Sequence, residues 1–466
     1  MSRRSWFGFV LLASIYGQVG NAQPTPPIAP KVEVATTPSP VTLPPGTPPT
    51  DVPNRPLTVD EAVRIALRHQ PDIVAARAGI AVAQGRTQQT RSGLLPNVTV
   101  DAQYNHTETL STEGRGSSGG TAVGPNGATQ GFQGTAVLRQ LLFDFNHTRD
   151  LVRQSALLER AASENLSKVQ EDLVFNVKQA YYGYIQATDD VTISEENLTN
   201  RQSQRDLARA RLNSGLGLPA DLVTAETAVD EAINELTVSR ANETVARVNL
   251  ALTMGIDPLT PIVVNTTTEP PVTSNNVDGL VRSALTQRPE IREAEANLKS
   301  AQYGVNAAKT TSAPSIAANV GFLNRGEDIP PGSSDVSVGV SLQWTPFDGG
   351  FTAGKVKEAR ANVDIAQAQL ASVRLGVVSD VSQAFVNLRS AEQRVITSNT
   401  EVANAQESLR IAEGRFRSGL GVFQDILTAQ AALVTARTNQ ANASFAVNQA
   451  RSAVLHAIGA PLPPIP

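Results

Sequence analysis

Cysteine is absent from all 466 residues, which excludes thiol nucleophiles, disulfide staples, thiolate metal sites and a lipid-anchored N-terminal cysteine. With two Met and four His besides, a soft-metal relay has few ligands to draw on. No excess of basic charge exists: 39 Lys and Arg are interspersed with 43 Asp and Glu for a net charge of -4, so nothing concentrates a field on phosphates. Nucleic acid is not an expected partner. His69, His106, His147 and His456 lack a metal-site spacing, and none stands beside a serine in a nucleophile turn. The glycine-rich stretch from Gly114 to Gly127 has no Gly-Lys-Ser or Gly-Lys-Thr with which to cradle phosphate. Neither an enzyme nor a cofactor is expected. Long apolar runs are missing too: after the leader no segment offers 18 consecutive apolar residues. A mature chain of this kind crosses a bilayer only as a closed β-barrel, the other structure that satisfies its backbone in lipid.

What is present begins with an export signal over residues 1–22. Arg3 and Arg4 precede an apolar run from Trp6 to Tyr16, and Gly20-Asn21-Ala22 supplies the small residues of a cleavage site. Residues 23–56 are dense in Pro and Thr and predict an extended tether. The hydrophobic fraction of 41% is enough to build a sizeable core in the remainder of the chain.

The chain then repeats itself. Val59-Asp60-Glu61-Ala62-Val63-Arg64, with Pro71-Asp72-Ile73, returns 218 residues later as Val277-Asp278-Gly279-Leu280-Val281-Arg282 with Pro289-Glu290-Ile291. Further on the offset is 204: Phe143-Asp144 matches Phe347-Asp348, Ser214-Gly215-Leu216-Gly217 matches Ser418-Gly419-Leu420-Gly421, and Asp221 matches Asp425. The change of offset falls in one glycine-rich loop, so register is kept on both sides of it and the chain is a duplication. The expected division is repeat 1 over 57–258, a linker over 259–274, repeat 2 over 275–460 and a tail over 461–466. Each repeat reads as helix, strand, loop, strand, long helix, turn, helix.

The strands alternate. Val98, Val100, Ala102 and Tyr104 oppose Thr99, Asp101 and Gln103; Val336, Val338, Val340, Leu342 and Trp344 oppose Asp335, Ser337, Gly339, Ser341 and Gln343. Ile316, Ala318, Val320 and Phe322 keep the same period, and residues 132–142 keep it less cleanly. Their length and apolar-out, polar-in pattern suit a membrane barrel. Four strands cannot close one, since the smallest use about eight, so the sheet must be shared between copies. Two copies or three would suffice by arithmetic.

From His147 to Leu212 no proline interrupts a helix that would reach ~100 Å. In the second copy Val395, Val402, Leu409 and Phe416 recur every seven residues, with Ala391, Ser398, Ala405 and Ala412 between them, a heptad seam that lets helices approach closely. The first copy places Arg201 and Arg205 in the matching seam, so one side of that helix should meet solvent or an acidic neighbour. Ser-Gly-Leu-Gly turns the chain at the end of each long helix, glycine supplying the left-handed residue.

An export signal, a duplicated unit, strand pairs too few to close alone, long antiparallel helices and Gly-Leu tips together resemble the outer membrane efflux protein family, the TolC-like channels. The local matches are Leu142-Phe143-Asp144, Trp344-Thr345-Pro346-Phe347-Asp348-Gly349-Gly350 and the tips Gly215 to Asp221 and Gly419 to Asp425. The resemblance implies a mainly α fold with a membrane β-barrel: a homotrimer with a 12-stranded barrel in outer-membrane lipid and a 12-helix periplasmic tunnel. It implies a passive exit duct of a tripartite efflux or type I secretion system, fed by a periplasmic adaptor and an inner-membrane transporter. Gly215, Leu216, Gly419 and Leu420 would face the adaptor. Asp425 matches a position whose carboxylates ring the periplasmic entrance, and Asp221 is its counterpart in the first copy; a helix-cap role is open to both, and an interhelix role to Asp221. The family's second entrance acid falls on Thr428, and the tyrosine and arginine of its closed state fall on Phe416 and Gly421, so that polar lock does not carry over. Closure by Phe416 as a hydrophobic constriction, or through Arg415 and Arg417, takes its place as the expectation.

Two other readings share some of these features. A secreted trimeric coiled-coil structural or adhesive protein would also show heptads and an export signal, but needs no duplicated strand pairs. A periplasmic adaptor subunit has a long hairpin, but one rather than two.

Overall fold

Thr58 starts the fold by capping its first helix: its hydroxyl accepts from the Glu61 amide, while the Glu61 carboxylate accepts from the Thr58 amide. The computed structural model describes residues 55–108, 128–266, 268–271, 276–326 and 332–460, without side chains at 106–108 and 128–130. The expected export signal, almost all of the tether, the stretch from Gly114 to Gly127 and the tail lie outside the described residues.

The elements fall into two matching sets. The first is α1 (Val59–His69), α2 (Pro71–Ser92), β1 (Asn97–Glu108), β2 (Ala128–Phe143), α3 (His147–Asn213) and α4 (Pro219–Thr253). The second is α5 (Val277–Gln287), α6 (Pro289–Lys309), β3 (Ser315–Gly326), β4 (Ser333–Gln343), α7 (Phe351–Arg417) and α8 (Phe423–Ala457). α3 and α7 have 67 residues each and α4 and α8 have 35 each, the equality a duplication predicts. One expectation is corrected: each repeat opens with two helices, not one. Pro71 and Pro289 have no amide hydrogen to donate, and each pushes its predecessor out of the helical region. Gln70 (φ -68, ψ 123) and Arg288 (φ -65, ψ 130) are accordingly extended.

α3 and α7 each run ~100 Å. α4 covers only part of α3, and α2 packs along another part of it; α8 and α6 share α7 in the same way. The short helices meet end to end. Gly255, at φ +71 just past α4, lies so close to the kink between α1 and α2 that a Cβ there would sit 2.9 Å from Gln70 Cα, and Gln70 Nε2 donates to the Thr253 carbonyl at 3.2 Å. Gly459, at φ +66 past α8, meets Arg288 at the kink between α5 and α6.

The largest core forms where α1 docks, with Ala62, Val63 and Ala66 against Val177 and Tyr181 of α3 and Leu250 at the end of α4. The segment between the repeats is pinned there. Buried Glu269 pairs with Lys178 at 2.7 Å, its amide donates to Asn448 of α8, and its carbonyl accepts from Arg451. A charge this deep is tolerated because each of its groups has a partner.

The heptad seam of α7 is inside. Ala391, Ser398, Val402, Ala412 and Phe416 are buried, with Val395, Ala405 and Leu409 half-buried beside them. The arginines of the first copy meet acidic neighbours rather than open solvent. Burial pulls the Arg201 guanidinium below its ordinary pKa while Glu231 and Glu235 hold it up, and Nη1 reaches the Leu427 carbonyl of α8 at 3.5 Å. Arg205 pairs with Asp206 at 2.7 Å.

Candidate functional site

Side chains alternate along a strand, so the register of the sheet decides which residues share a face. The strands form one antiparallel sheet in the order β1-β2-β3-β4. One rung reads Val98, Leu138, Val320, Val338, and another on the same face reads Val100, Ala136, Phe322, Val336. Rungs of the opposite face read Asn97, Arg139, Asn319, Gly339, and then Asp101, Thr135, Leu323, Asp335. β2 runs to 16 residues, and Val137 on the polar face with Gln140 on the apolar one explains why its alternation is the least clean in sequence. The apolar face is bare: Val338 is 79% exposed and Val100 72%. Among the described residues no helix is long and apolar enough to cross a membrane. An apolar face of this extent opposite a polar one gives the sheet two surfaces of different affinity, one for an apolar medium and one for water. β1 and β4 each have a hydrogen-bonded neighbour on one side only, leaving two free edges.

Exposed aromatics gather where strands meet helices: Phe143, Phe145, Trp344, Phe347 and Phe351. Rings at such a junction suit a boundary where one side is apolar and the other wetted. The junction itself is built by the repeated Phe-Asp pair. Asp144 Oδ2 accepts from the Thr148 amide at 2.7 Å, and Asp348 Oδ2 accepts from the Thr352 amide at 2.8 Å, so each carboxylate satisfies a donor in the first turn of a long helix.

At the other end the two tips share one geometry. Gly215 and Gly419 are left-handed, at φ +74 and +75. The Gly215 amide donates to the Leu212 carbonyl and the Leu216 amide to that of Arg211; Gly419 and Leu420 repeat this with Phe416 and Arg415. This is the Schellman ending, in which the residue after glycine ordinarily folds back on its helix. Ile256 does so after Gly255 and is 6% exposed, whereas Leu216 is 75% exposed and Leu420 84%.

Asp221 and Asp425 stand in the first turns of α4 and α8, Asp425 exposed and Asp221 half-buried. The cap positions fall on Leu218 and Val422, with no side-chain cap bond, so neither aspartate is the capping residue. Phe416 packs between the tips of one copy. It is 6% exposed, its ring centroid lies 5.6 Å from that of Phe423, and the Arg211 guanidinium sits 4.2 Å over its face. The ring is thereby part of the contact among α3, α7 and α8 within one copy. Arg417 pairs with Glu413 at 3.0 Å, and Thr428 Oγ1 donates to the Gln424 carbonyl of its own helix at 2.9 Å. Arg211, which sequence reasoning missed, also donates from Nη1 to the Phe416 carbonyl at 2.8 Å, tying the first tip to the second.

Where α6 begins and α8 ends against α3 lies a charged junction of the three helices. His456 Nε2 lies 2.8 Å from Asp172 Oδ1 while its ring stacks on Phe175, and Arg292 pairs with Glu164 at 2.7 Å. Glu171 is pushed up to about 7, first by burial and then by the charge of Glu290, with His456, Arg292 and Arg288 opposing. A carboxyl raised in the folded state contributes stability in full below its unfolded value near 4.5, and loses it as pH rises through about 7. Glu171→Gln should therefore raise the unfolding temperature at pH 8, by the equivalent of about 2 kcal/mol, and leave it unchanged at pH 4. Thermal unfolding in detergent across this range checks both ends.

The family model described as "Outer membrane efflux protein" matches residues 62–256 and 280–460. Protein CyaE of Bordetella pertussis is 25% identical over 387 residues, 82% of this chain and 79% of its own. Outer membrane efflux protein BepC of Brucella suis is 26% identical over 408 residues, 86% and 85% of the two chains. Outer membrane protein TolC of Escherichia coli is 25% identical over 81% of this chain and 78% of its own. Among solved structures, CusC superposes with a TM-score of 0.76 at 18% identity over 86% of this chain and 92% of its own. The outer membrane protein VceC of Vibrio cholerae superposes at 0.73 and 20% identity over 86% and 96%. Bare sheet edges, two-faced strands and paired long hairpins thus coincide with a match to most of the chain: it belongs to the outer membrane efflux protein family, the TolC-like channels of the outer membrane.

Proposed function

We propose that three copies assemble so that twelve strands close one barrel and twelve helices continue it as a periplasmic tunnel, through which cargo leaves passively. The observation that carries this reading is the sheet. Four strands, apolar on one face and polar on the other, end in two free edges and lead into helices ~100 Å long. Pairing β4 of one copy with β1 of the next removes the edges, turns the apolar face to lipid and encloses the polar one. At any level each copy contributes four helices to the wall, α2, α3, α6 and α7 near the sheet and α3, α4, α7 and α8 near the tips.

The tips would receive a periplasmic adaptor, itself coupled to an inner-membrane transporter. Leu216 and Leu420 support this, because each is an apolar side chain held in solvent by a rigid turn centred on Gly215 or Gly419. Asp425, exposed on α8, would form a ring of three carboxylates at the entrance, with Asp221 a second candidate on α4. The fibre and adaptor readings have no use for a two-faced sheet with free edges. The native mass of the protein, extracted from outer membranes in mild detergent, tests the assembly: a trimer is expected, and a stable monomer would overturn the shared barrel.

A further inference from the structure

The polar face of the sheet carries four described charged side chains, Asp101, Arg139, Arg325 and Asp335. Arg325 and Asp335 pair with each other at 3.5 Å. Arg139 is exposed, and no carboxylate stands within ion-pair distance of it among the described residues. Its rung holds Asn97, Asn319 and Gly339, all neutral. Asp101 lies opposite Thr135, four positions along β2 from Arg139, which is ~13 Å and beyond the ~10 Å Debye length of a 0.1 M salt solution. A neighbouring copy would not neutralise it either. Whatever the register of a β4 strand added at the β1 edge, the only charge on its polar face is Asp335, which already has a partner.

On the proposed barrel, we infer that three copies of Arg139 form a ring of unpaired guanidinium groups where the lumen meets the helical tunnel, and that this ring favours anions in transit. Asn97 is the first residue of β1, which places the ring at the helix-proximal end. Asp101 then gives an acidic ring four residues, or ~13 Å, further along the sheet, so the lumen presents cationic and anionic bands in series. A charged ring in a narrow low-dielectric wall concentrates the opposite ion, and anionic cargo is the class this band would admit most readily.

The test is the reversal potential of the reconstituted full-length trimer in a planar bilayer under a tenfold KCl gradient, with chloride as the probe anion. Arg139→Gln should lower the chloride-to-potassium permeability ratio by about twofold or more, Arg139→Lys should preserve it, and Asp101→Asn should move it the other way. Because the chain has no cysteine, Arg139→Cys supplies a single reactive thiol. A positively charged methanethiosulfonate should restore the wild-type ratio from the aqueous side, and a negatively charged one should push it further toward potassium. Normal conductance steps with an unchanged ratio in Arg139→Gln, or a thiol at 139 whose modification alters nothing, would overturn the inference alone. A wild-type trimer that passes no current would overturn the duct and the inference together.

Discussion

Lysine in place of Val338 should abolish accumulation of the protein in the outer membrane, whereas lysine at the next residue, Gly339, should be tolerated. Val338 is the outer residue of a rung that is apolar across all four strands. On the proposed trimeric barrel a cation there faces lipid, at a cost of about 2–4 kcal/mol per copy near mid-membrane. Three copies raise that penalty to the order of a domain's whole stability. Gly339 points to the polar face, and no atom lies within 4 Å of a Cβ built there. Heat-modifiable mobility of outer-membrane fractions reads the difference; equal assembly of the two variants would contradict the assignment of faces.

Gly255→Ala should be the most damaging single methyl in the helical region. A left-handed backbone costs a non-glycine residue about 1–2 kcal/mol. The new Cβ would also sit 2.9 Å from Gln70 N, Gln70 Cα and His69 C, all backbone atoms that cannot swing away. Together these should cost about 3–5 kcal/mol. Gly215→Ala carries nearly the same φ but has nothing within 4 Å, so it should lose only the conformational part, about 1 kcal/mol. Comparing unfolding temperatures of the two variants in one detergent separates steric from conformational cost, and equal shifts would mean that α4 and α2 do not abut as described.

Much of this was legible in the residues because its signals are local. Period two marked β1, β3 and β4, Gly-Leu-Gly marked both tips, and the seven-residue spacing marked the buried face of α7. Phe416 shows how two signals can disagree. Its place in the heptad with Val395, Val402 and Leu409 points to burial, while the resemblance places it where the family has a lock residue; within one copy the ring is buried against Phe423. The packing period speaks for the residue's surroundings within one copy, and the resemblance speaks for where a different side chain sits in relatives. The helix breaks lie inside the repeated motifs as Pro71 and Pro289, where a shared proline marks repetition as readily as a missing donor. Arg211 had no local signal at all, since its partner is a carbonyl in the other repeat.

The middle of the sheet is its most distant pairing. β1 with β2 and β3 with β4 are hairpins, but β2 with β3 joins Phe132 to Gly326, across α3, α4, α5 and α6. A lone two-stranded hairpin is marginal in water, and contacts this far apart in sequence form slowly because the chain entropy is lost before they reward it. Without the second repeat, the first presents apolar strands with open edges, the kind of species that aggregates. Completion of the sheet is therefore expected to be a late step in folding, set by the arrival of β3 at β2. Until β3 arrives, β2 lacks its second neighbour and the hairpin keeps an apolar face and two unpaired edges.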